Sequence, residues 1–449
     1  MSVFKEKSVF TSLNQRGPLA VKPAIDLSRR FSPEARQWVK ELKRSQLTLT
    51  KYRALRSQIF EFLNVPDYQA IKQLLSDVSR RRECSIRARH LLGNMFGIHG
   101  TELELKSRVS DYARTADAVI NSLKIKIFAP YASHIAITNE VEIAADPIDL
   151  LLMIFDDRYH RKARFEAQRK LSLMSLAGSI DQRERETGIE DNFSTFLDFL
   201  NQYVWSKHQK IGEHDIVYLL SNHQDADFSC SEVKVLTQED AAHVKLTKGN
   251  KLTLLKRRRF IAGNREIPIY VSIRKKPPEA KVLKLLRKNE KNPAVAVDDE
   301  LGLMAVLNSA ADVKIFQKHL TQSATRADSF MILEDISDTL TGGRHKATST
   351  GSSSSTPMLK FFARLGGMRV EFIIHTNPSW VNYMYQKDTA HDEYEVRRIF
   401  DSGVAELLFP RDIYLLDHSI VRNNMIRLFR KQIEEAWHWE ENGTKSKGK

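Results

Sequence analysis

Basic residues are concentrated at a predicted junction between a strand and a helix, within the segment 274–284. Arg274, Lys276 and Lys284 are spaced along it, with prolines at the point where the alternating pattern ends. Cationic side chains at a helix start can neutralise a triphosphate, together with the free backbone N–H groups and the helix dipole. A solvated basic face would have a similar composition. The residue types alone therefore leave both interpretations open.

Two acidic residues further along the chain could bind a divalent cation. Asp299 is placed at the start of a predicted strand, and Glu371 is within an apolar one. Carboxylate and phosphate oxygens are the ligands that Mg²⁺ prefers. Asp298 competes with Asp299 for this role, because a shift of one residue exchanges them. Glu371 could instead pair with a neighbouring cation such as Arg369.

These segments resemble the synthetase domain of the RelA/SpoT family, and the resemblance covers residues 267–376. The family's first motif, Arg-x-Lys-x-Pro-x-Ser-x-x-x-Lys, is matched in this chain with alanine in place of serine. The matching residues are Arg274, Lys276, Pro278 and Lys284, with Ala280 at the serine position. The resemblance implies that Arg274, Lys276 and Lys284 bind the ATP donor.

The second and third motifs of the family are matched in part. Asp299 begins the pattern Asp-x-x-Gly-x-Arg, and Glu371 lies in the pattern Val-Glu-x-Gln-Ile-Arg-Thr. The resemblance implies that both carboxylates hold Mg²⁺, or that Glu371 activates the attacking hydroxyl as a general base. This chain departs from the motifs at three positions, where it has Met304 for arginine, Ile373 for glutamine and His375 for arginine.

The family's acceptor motif, Gly-Tyr-x-Ser-x-His, has no aromatic counterpart in this chain. The corresponding segment is 351–356, where Ser352 occupies the tyrosine position, and a flexible linker is the simpler interpretation. Further on, Trp380, His391 and Tyr394 resemble the family's aromatic and histidine positions with different spacing. We predict His391 as a catalytic residue.

The function implied is that of a divergent pyrophosphokinase. It would transfer pyrophosphate from Mg-ATP to the ribose hydroxyl of a guanine nucleotide, as in guanosine tetraphosphate synthesis in the stringent response, or of tRNA. The missing tyrosine argues against an ordinary guanine pocket. The alternative is a catalytically decayed nucleotide- or RNA-binding sensor.

The positive charge of the chain is unevenly distributed. The net charge is +14, and the segment 245–291 holds sixteen Lys and Arg against three acids, which is +13. This predicts a phosphate-rich ligand at that segment. The run Lys256, Arg257, Arg258 and Arg259 could contact RNA, or could extend the polyphosphate surface.

The pattern of elements predicts an α+β fold, in which a helical N-terminal domain precedes a mixed sheet flanked by helices. Alternation at 123–143 predicts a short β passage, and a strand is expected at 244–246. His214 and Asp215 resemble a metal phosphohydrolase dipeptide, but we interpret them as surface residues of a helix and loop. The predicted domains are an extended arm 1–31, a mainly helical domain 32–235, a synthetase-like domain 236–441 and a disordered tail 442–449.

Composition favours a cytoplasmic protein without a membrane segment. Two cysteines, Cys84 and Cys230, cannot form a disulfide framework. No apolar run is long enough to cross a bilayer, and the N-terminus does not resemble a signal peptide.

Overall fold

The computed structural model describes residues 40, 59–206, 214–341 and 356–446. The predicted arm at 1–31 and Ser352 lie outside the described residues. The chain has an α+β fold, as the sequence predicts. It divides into two compact units. Among the described residues, the first unit contains the residues up to Glu186, Pro278–Ala296 and Ile399–Val421. The second unit contains Thr187–Pro277, Val297–Arg398 and the described residues from Arg422 onward.

The helices of the described residues are numbered in chain order. They are α1 Tyr68–Leu74, α2 Val78–Met95, α3 Glu102–Lys126, α4 Asn139–Ile143, α5 Pro147–Phe155, α6 Arg161–Thr187, α7 Ile189–Phe199, α8 Gln238–His243, α9 Pro278–Lys288, α10 Pro293–Ala296, α11 Ala310–Arg326, α12 Asn377–Tyr385, α13 His391–Asp401, α14 Val404–Leu408, α15 Arg411–Tyr414 and α16 His418–Ser446. Short 3-10 and π segments lie at Ala129–Tyr131 and Leu200–Val204. The predicted disordered tail overlaps α16.

The first unit is helical, and its helix starts follow from local capping. Asp67 and Asp77 accept hydrogen bonds from backbone N–H groups at the starts of α1 and α2. Thr101 and Glu104 form a reciprocal capping box at the start of α3. The charge-rich helix α9 also belongs to this unit.

The β passage predicted at 123–143 is wrong. Helix α3 continues to Lys126, and residues 139–143 form α4. The alternating Leu123, Ile125 and Ile127 misled the interpretation, because Leu123 and Ile127 are buried while Ile125 is 72% exposed. A spacing of four residues places the two buried side chains on one helix face.

The second unit is built on a mixed sheet. Among the described residues its strands are β1 Asp215–His223, β2 Cys230–Leu236, β3 Asn250–Ala262, β4 Arg265–Lys275, β5 Leu301–Leu307, β6 Met331–Asp338, β7 Leu359–Leu365 and β8 Met368–Thr376. Their order is β2-β1-β3-β4-β5-β8-β7-β6. Strands β5 and β8, which lie near the two predicted carboxylates, are parallel neighbours.

Tight turns fix the register of two hairpins. Gly366 and Gly367 have φ values of +53° and +85° and join β7 to β8. Gly263, with φ +62°, begins the turn between β3 and β4. The strand expected at 244–246 is absent, since these described residues form the loop after α8.

Strand β1 was not predicted and lies before the predicted boundary at 235/236, and β2 crosses that boundary. His214 precedes β1, and Asp215 begins it, so the predicted helix and loop at this dipeptide is wrong.

The two sheet faces carry different chemistry. One face packs against α7, the π segment and α11 through a large apolar core that includes Phe196, Phe316, Leu303 and Phe372. The opposite face, which we call the α12 face, packs against α12 through Trp380 and Val381 with Val306, Leu255 and Leu219. Arg274 and Glu371 lie on the α12 face, because side chains alternate along a strand and their apolar neighbours in the strands point to the apolar core.

No helix among the described residues is long and apolar enough to cross a membrane. Cys84 and Cys230 are both free thiols.

Candidate functional site

Arg274, Gly302 and Glu371 form a row across three adjacent strands. Arg274 of β4 pairs with Gly302 of β5, and Gly302 pairs with Glu371 of β8. Directly opposed residues share a sheet face, so the arginine and the glutamate project to the same side. Gly302 has no side chain between them. Residues from the first, second and third motifs are therefore brought together in one row.

Arg274 forms an ion pair with Glu371. The guanidinium Nη2 lies 3.2 Å from Oε2 of the carboxylate. The arginine side chain is 52% exposed, whereas that of Glu371 is 6% exposed. A buried carboxylate thus holds a cation that still reaches solvent.

Lys360 is a second cation at Glu371, and the sequence analysis missed it. Its Nζ lies 2.9 Å from Oε1 of Glu371, and its side chain is 3% exposed. Lys360 is the charged residue within the buried run Leu359–Ala363 of β7. A buried ammonium requires a partner, so the lysine within this apolar strand was the signal that could have identified it.

Asp299 and Lys276 form an ion pair near the same end of the parallel strands. Lys276 Nζ lies 2.5 Å from Asp299 Oδ2, with side-chain exposures of 13% and 14%. The backbone N–H of Lys276 also donates to the carbonyl of Glu300 at 2.8 Å. Asp299 lies two residues before Leu301, which pairs with Val370, the residue preceding Glu371. Both predicted carboxylates therefore lie at the amino end of β5 and β8.

Asp298, the competing residue, is in a different environment. Its side chain is 47% exposed, and its carboxylate lies 3.8 Å from Arg369. Arg369 is itself bound by Glu334 and Asp335, and it stacks 3.6 Å above the ring centroid of Phe362. Glu371 therefore pairs with Arg274 and Lys360 rather than with its sequence neighbour Arg369.

Lys284 is not placed in the unit that contains this site. It is buried within α9 of the first unit, where the nearby Lys281 pairs with Glu184 at 2.7 Å. Its predicted role in ATP binding stays a prediction.

Three aromatic rings extend from the sheet to His391. His375 contacts Tyr383 at 5.3 Å between ring centroids, and Tyr383 contacts His391 at 5.2 Å. Burial raises the pKa of Tyr383 to about 12, and Arg274 and Glu371 are close enough to influence it electrostatically. Burial also lowers the pKa of His391, which is close enough to Arg274 for electrostatic influence. Tyr383 was not found from the sequence.

Met304 forms part of an apolar wall beside this row. It pairs across the sheet with Ser272 and Ile373, and it packs against the cluster of Trp380 and Val381. The neutral Met304 is therefore accommodated by packing against α12. This part of the α12 face offers apolar contact rather than positive charge.

The basic run of β3 is divided between the two sheet faces. Lys256 and Arg258 project to one side, and Arg257 and Arg259 to the other. Arg257 is buried and donates to Asn377, while Arg259 pairs with Asp215 and Glu266. Burial lowers the pKa of Arg257 and of Arg258. These residues do not form one continuous basic surface.

The described histidines near the hydrolase-like dipeptide, His214 and His223, are not part of a metal centre among the described residues. His223 is buried and hydrogen-bonds with Ser221 Oγ and the Phe228 carbonyl, each at 2.8 Å. Within the described ranges, no group of three or more His, Cys, Asp or Glu side chains is placed to hold a metal ion. His208 lies outside those ranges.

The carboxylate oxygens of Asp299 and Glu371 are of the ligand type that Mg²⁺ prefers. This ion is commonly held by one or two carboxylates together with substrate phosphates and water. Each carboxylate is paired with a lysine or an arginine, so these ion pairs would have to rearrange for a metal to bind there.

Comparison of the chain with protein-family models, with curated proteins and with solved structures finds no match.

Proposed function

We propose that the second unit is a divergent pyrophosphokinase of the RelA/SpoT type that takes pyrophosphate from Mg-ATP. The observation that carries this proposal is the row of Arg274, Gly302 and Glu371, with the Asp299–Lys276 pair near the same strand ends. Such a row combines exposed positive charge for phosphates with carboxylates for a metal. Strands hold Arg274 and Glu371, and Lys276 and Asp299 lie beside strand ends, which favours positioning of a reacting phosphate.

The reaction is an in-line displacement at the β-phosphorus of ATP. A ribose hydroxyl oxygen of the acceptor forms a bond to this phosphorus, and the bond from the phosphorus to the α,β-bridging oxygen breaks. AMP leaves with that oxygen, and the hydroxyl proton passes to Glu371 or to water. When bound, Mg²⁺ supplies neutralisation of phosphate charge, with Asp299 and Glu371 as its protein ligands. Arg274 and Lys276 stabilise the negative charge of the phosphates.

The test uses ATP labelled in the β- and γ-phosphates, with Mg²⁺ and either guanine nucleotides or total tRNA. Transfer of label to an acceptor, with stoichiometric AMP, is the expected result. Asp299→Ala should reduce transfer at least about a hundredfold, whereas the matched Asp298→Ala variant should retain it. Absence of transfer to every acceptor would overturn the enzymatic proposal.

A nucleotide- or RNA-binding sensor is the second candidate function. It is favoured by one observation, namely that both oxygens of Glu371 and one oxygen of Asp299 are held by cations. In a sensor these pairs would remain structural. ATP binding without transfer, and unchanged ATP binding in Glu371→Gln, would support this candidate.

A further inference from the structure

The two oxygens of Glu371 have partners of different character. Oε1 lies 2.9 Å from Lys360, and Oε2 lies 3.2 Å from Arg274. Lys360 is 3% exposed, while Arg274 is 52% exposed. One oxygen is therefore held from inside the sheet, and the other is held by a side chain that reaches solvent.

This difference in burial determines which ion pair can open. Separating Lys360 from Glu371 would leave a buried ammonium and a buried carboxylate without each other, which is strongly unfavourable. Arg274 can move its guanidinium into water, or onto a phosphate, at much lower cost because exposed ion pairs contribute little. The Arg274 pair is therefore the one that a polyphosphate can open.

Strand register keeps Lys360 in place. Lys360 pairs with Ile373 on β8, and Ile373 pairs with Met304 on β5, so the three residues form the row next to Arg274, Gly302 and Glu371. Lys360 reaches diagonally to Glu371 from this row, and its ammonium also lies 5.7 Å from the ring centroid of Phe362. Its direction of approach to Oε1 is thus set by the sheet.

We infer that Lys360 is a positioning residue for Glu371. Lys360 fixes Oε1 of Glu371, so that Oε2 alone is released when a nucleoside triphosphate draws Arg274 away. Oε2 is then available to a metal ion or to the acceptor hydroxyl. This inference rests on the proposed function. It assigns different roles to the two cations, because Arg274 binds the phosphates and Lys360 orients the carboxylate.

The experiment measures the affinity of the full chain for Mn²⁺ at saturating ATP. Removing an outer partner of a metal ligand typically weakens metal binding about 10–100-fold. We expect Lys360→Met to show such a loss while its Kd for ATP stays within about threefold of wild type. Lys360→Arg should keep most of the wild-type Mn²⁺ affinity. Arg274→Met should mainly weaken the binding of ATP.

A matched control separates positioning from folding. Lys281 is another buried lysine paired with a glutamate, in the first unit, and its side chain is 1% exposed. Lys281→Met should leave Mn²⁺ affinity unchanged, and circular dichroism should show that both variants are folded.

Three failures can be distinguished. If wild type binds ATP and Mn²⁺, and Lys360→Met binds each of them as tightly as wild type does, only the positioning role of Lys360 is overturned. If wild type binds no ATP, the proposed function and this inference are both overturned. Equal losses of ATP and Mn²⁺ affinity in Lys360→Met would instead show a structural lysine.

Discussion

The position that a Cβ atom at Gly302 would occupy lies 3.1 Å from Nε of Arg274. This contact is tight, so Gly302→Ala should shift the Arg274 side chain by a few tenths of an ångström and misplace its guanidinium for a bound phosphate. We expect ATP affinity to fall about tenfold or more, since a charge-assisted hydrogen bond contributes roughly 1.5–3 kcal/mol. Isothermal titration with ATP measures this change.

The effect of Gly302→Ala should depend on Arg274. In an Arg274→Met background the added methyl group has no guanidinium to displace, and the remaining loss should be small. Equal losses in the two backgrounds would show that the methyl group acts elsewhere, for example on the carbonyl of Glu371 at 3.7 Å.

Lys276→Ala should weaken ATP binding while Lys275→Ala should not. Lys276 lies beside Asp299, whereas the side chain of Lys275 pairs with Glu190. The two substitutions remove the same charge from adjacent positions, so general electrostatic attraction cancels in the comparison. The expected cost for Lys276 is about 1.5–3 kcal/mol in ATP binding. Equal affinities would leave Lys276 as a structural partner of Asp299.

We predict that catalysis uses an acceptor other than free GDP or GTP. Ser352 stands where a base-stacking tyrosine is expected, and stacking on an aromatic ring is worth roughly 1–3 kcal/mol per base. Transfer of label from ATP should therefore be more efficient to total tRNA than to guanine nucleotides. Efficient labelling of GDP would contradict this prediction. Asp299→Ala provides the inactive control for both acceptors.

The sequence predicted the strands of the site well and the rest of the sheet less well. Strand β5, Leu301–Leu307, lies where the sequence predicts a strand starting near Asp299, and its apolar run ends before the Ser309 cap of α11. Strand β1 was missed because Ile216–Leu220 is a continuous apolar run without alternation. Strand β1 pairs antiparallel with β2 and β3, the next two strands along the chain, so the missing alternation and not a distant partner concealed it.

The site was predicted only where its motifs are continuous in sequence. Arg274 and Glu371 were found by motif, but their ion pair depends on strand order. Lys360 and Tyr383 reach the site from β7 and α12, and neither has a motif of its own. Their roles depend on which buried groups they contact, and this is decided by tertiary packing.

His375 should make the stability of the protein depend on pH. It is fully buried, its Nδ1 lies 2.9 Å from Ser379 Oγ, and Nε2 has no hydrogen-bond partner among the described residues. Burial lowers the pKa of His375 to about 4 from its ordinary value of 6.5. Between these two pH values the unfolded chain binds a proton that the folded chain does not, so stability falls as pH decreases.

The expected loss attributable to His375 is roughly 3 kcal/mol between pH 6.5 and pH 4. The pKa values of His223, His319 and His391 are also lowered by burial, so the total slope alone does not isolate one residue. The measurement is therefore urea unfolding of wild type and His375→Phe across this pH range. We expect the variant to lose less stability than wild type on acidification, because one proton-linked group has been removed. Parallel pH profiles for the two proteins would contradict the prediction and would mean that His375 can be protonated without unfolding.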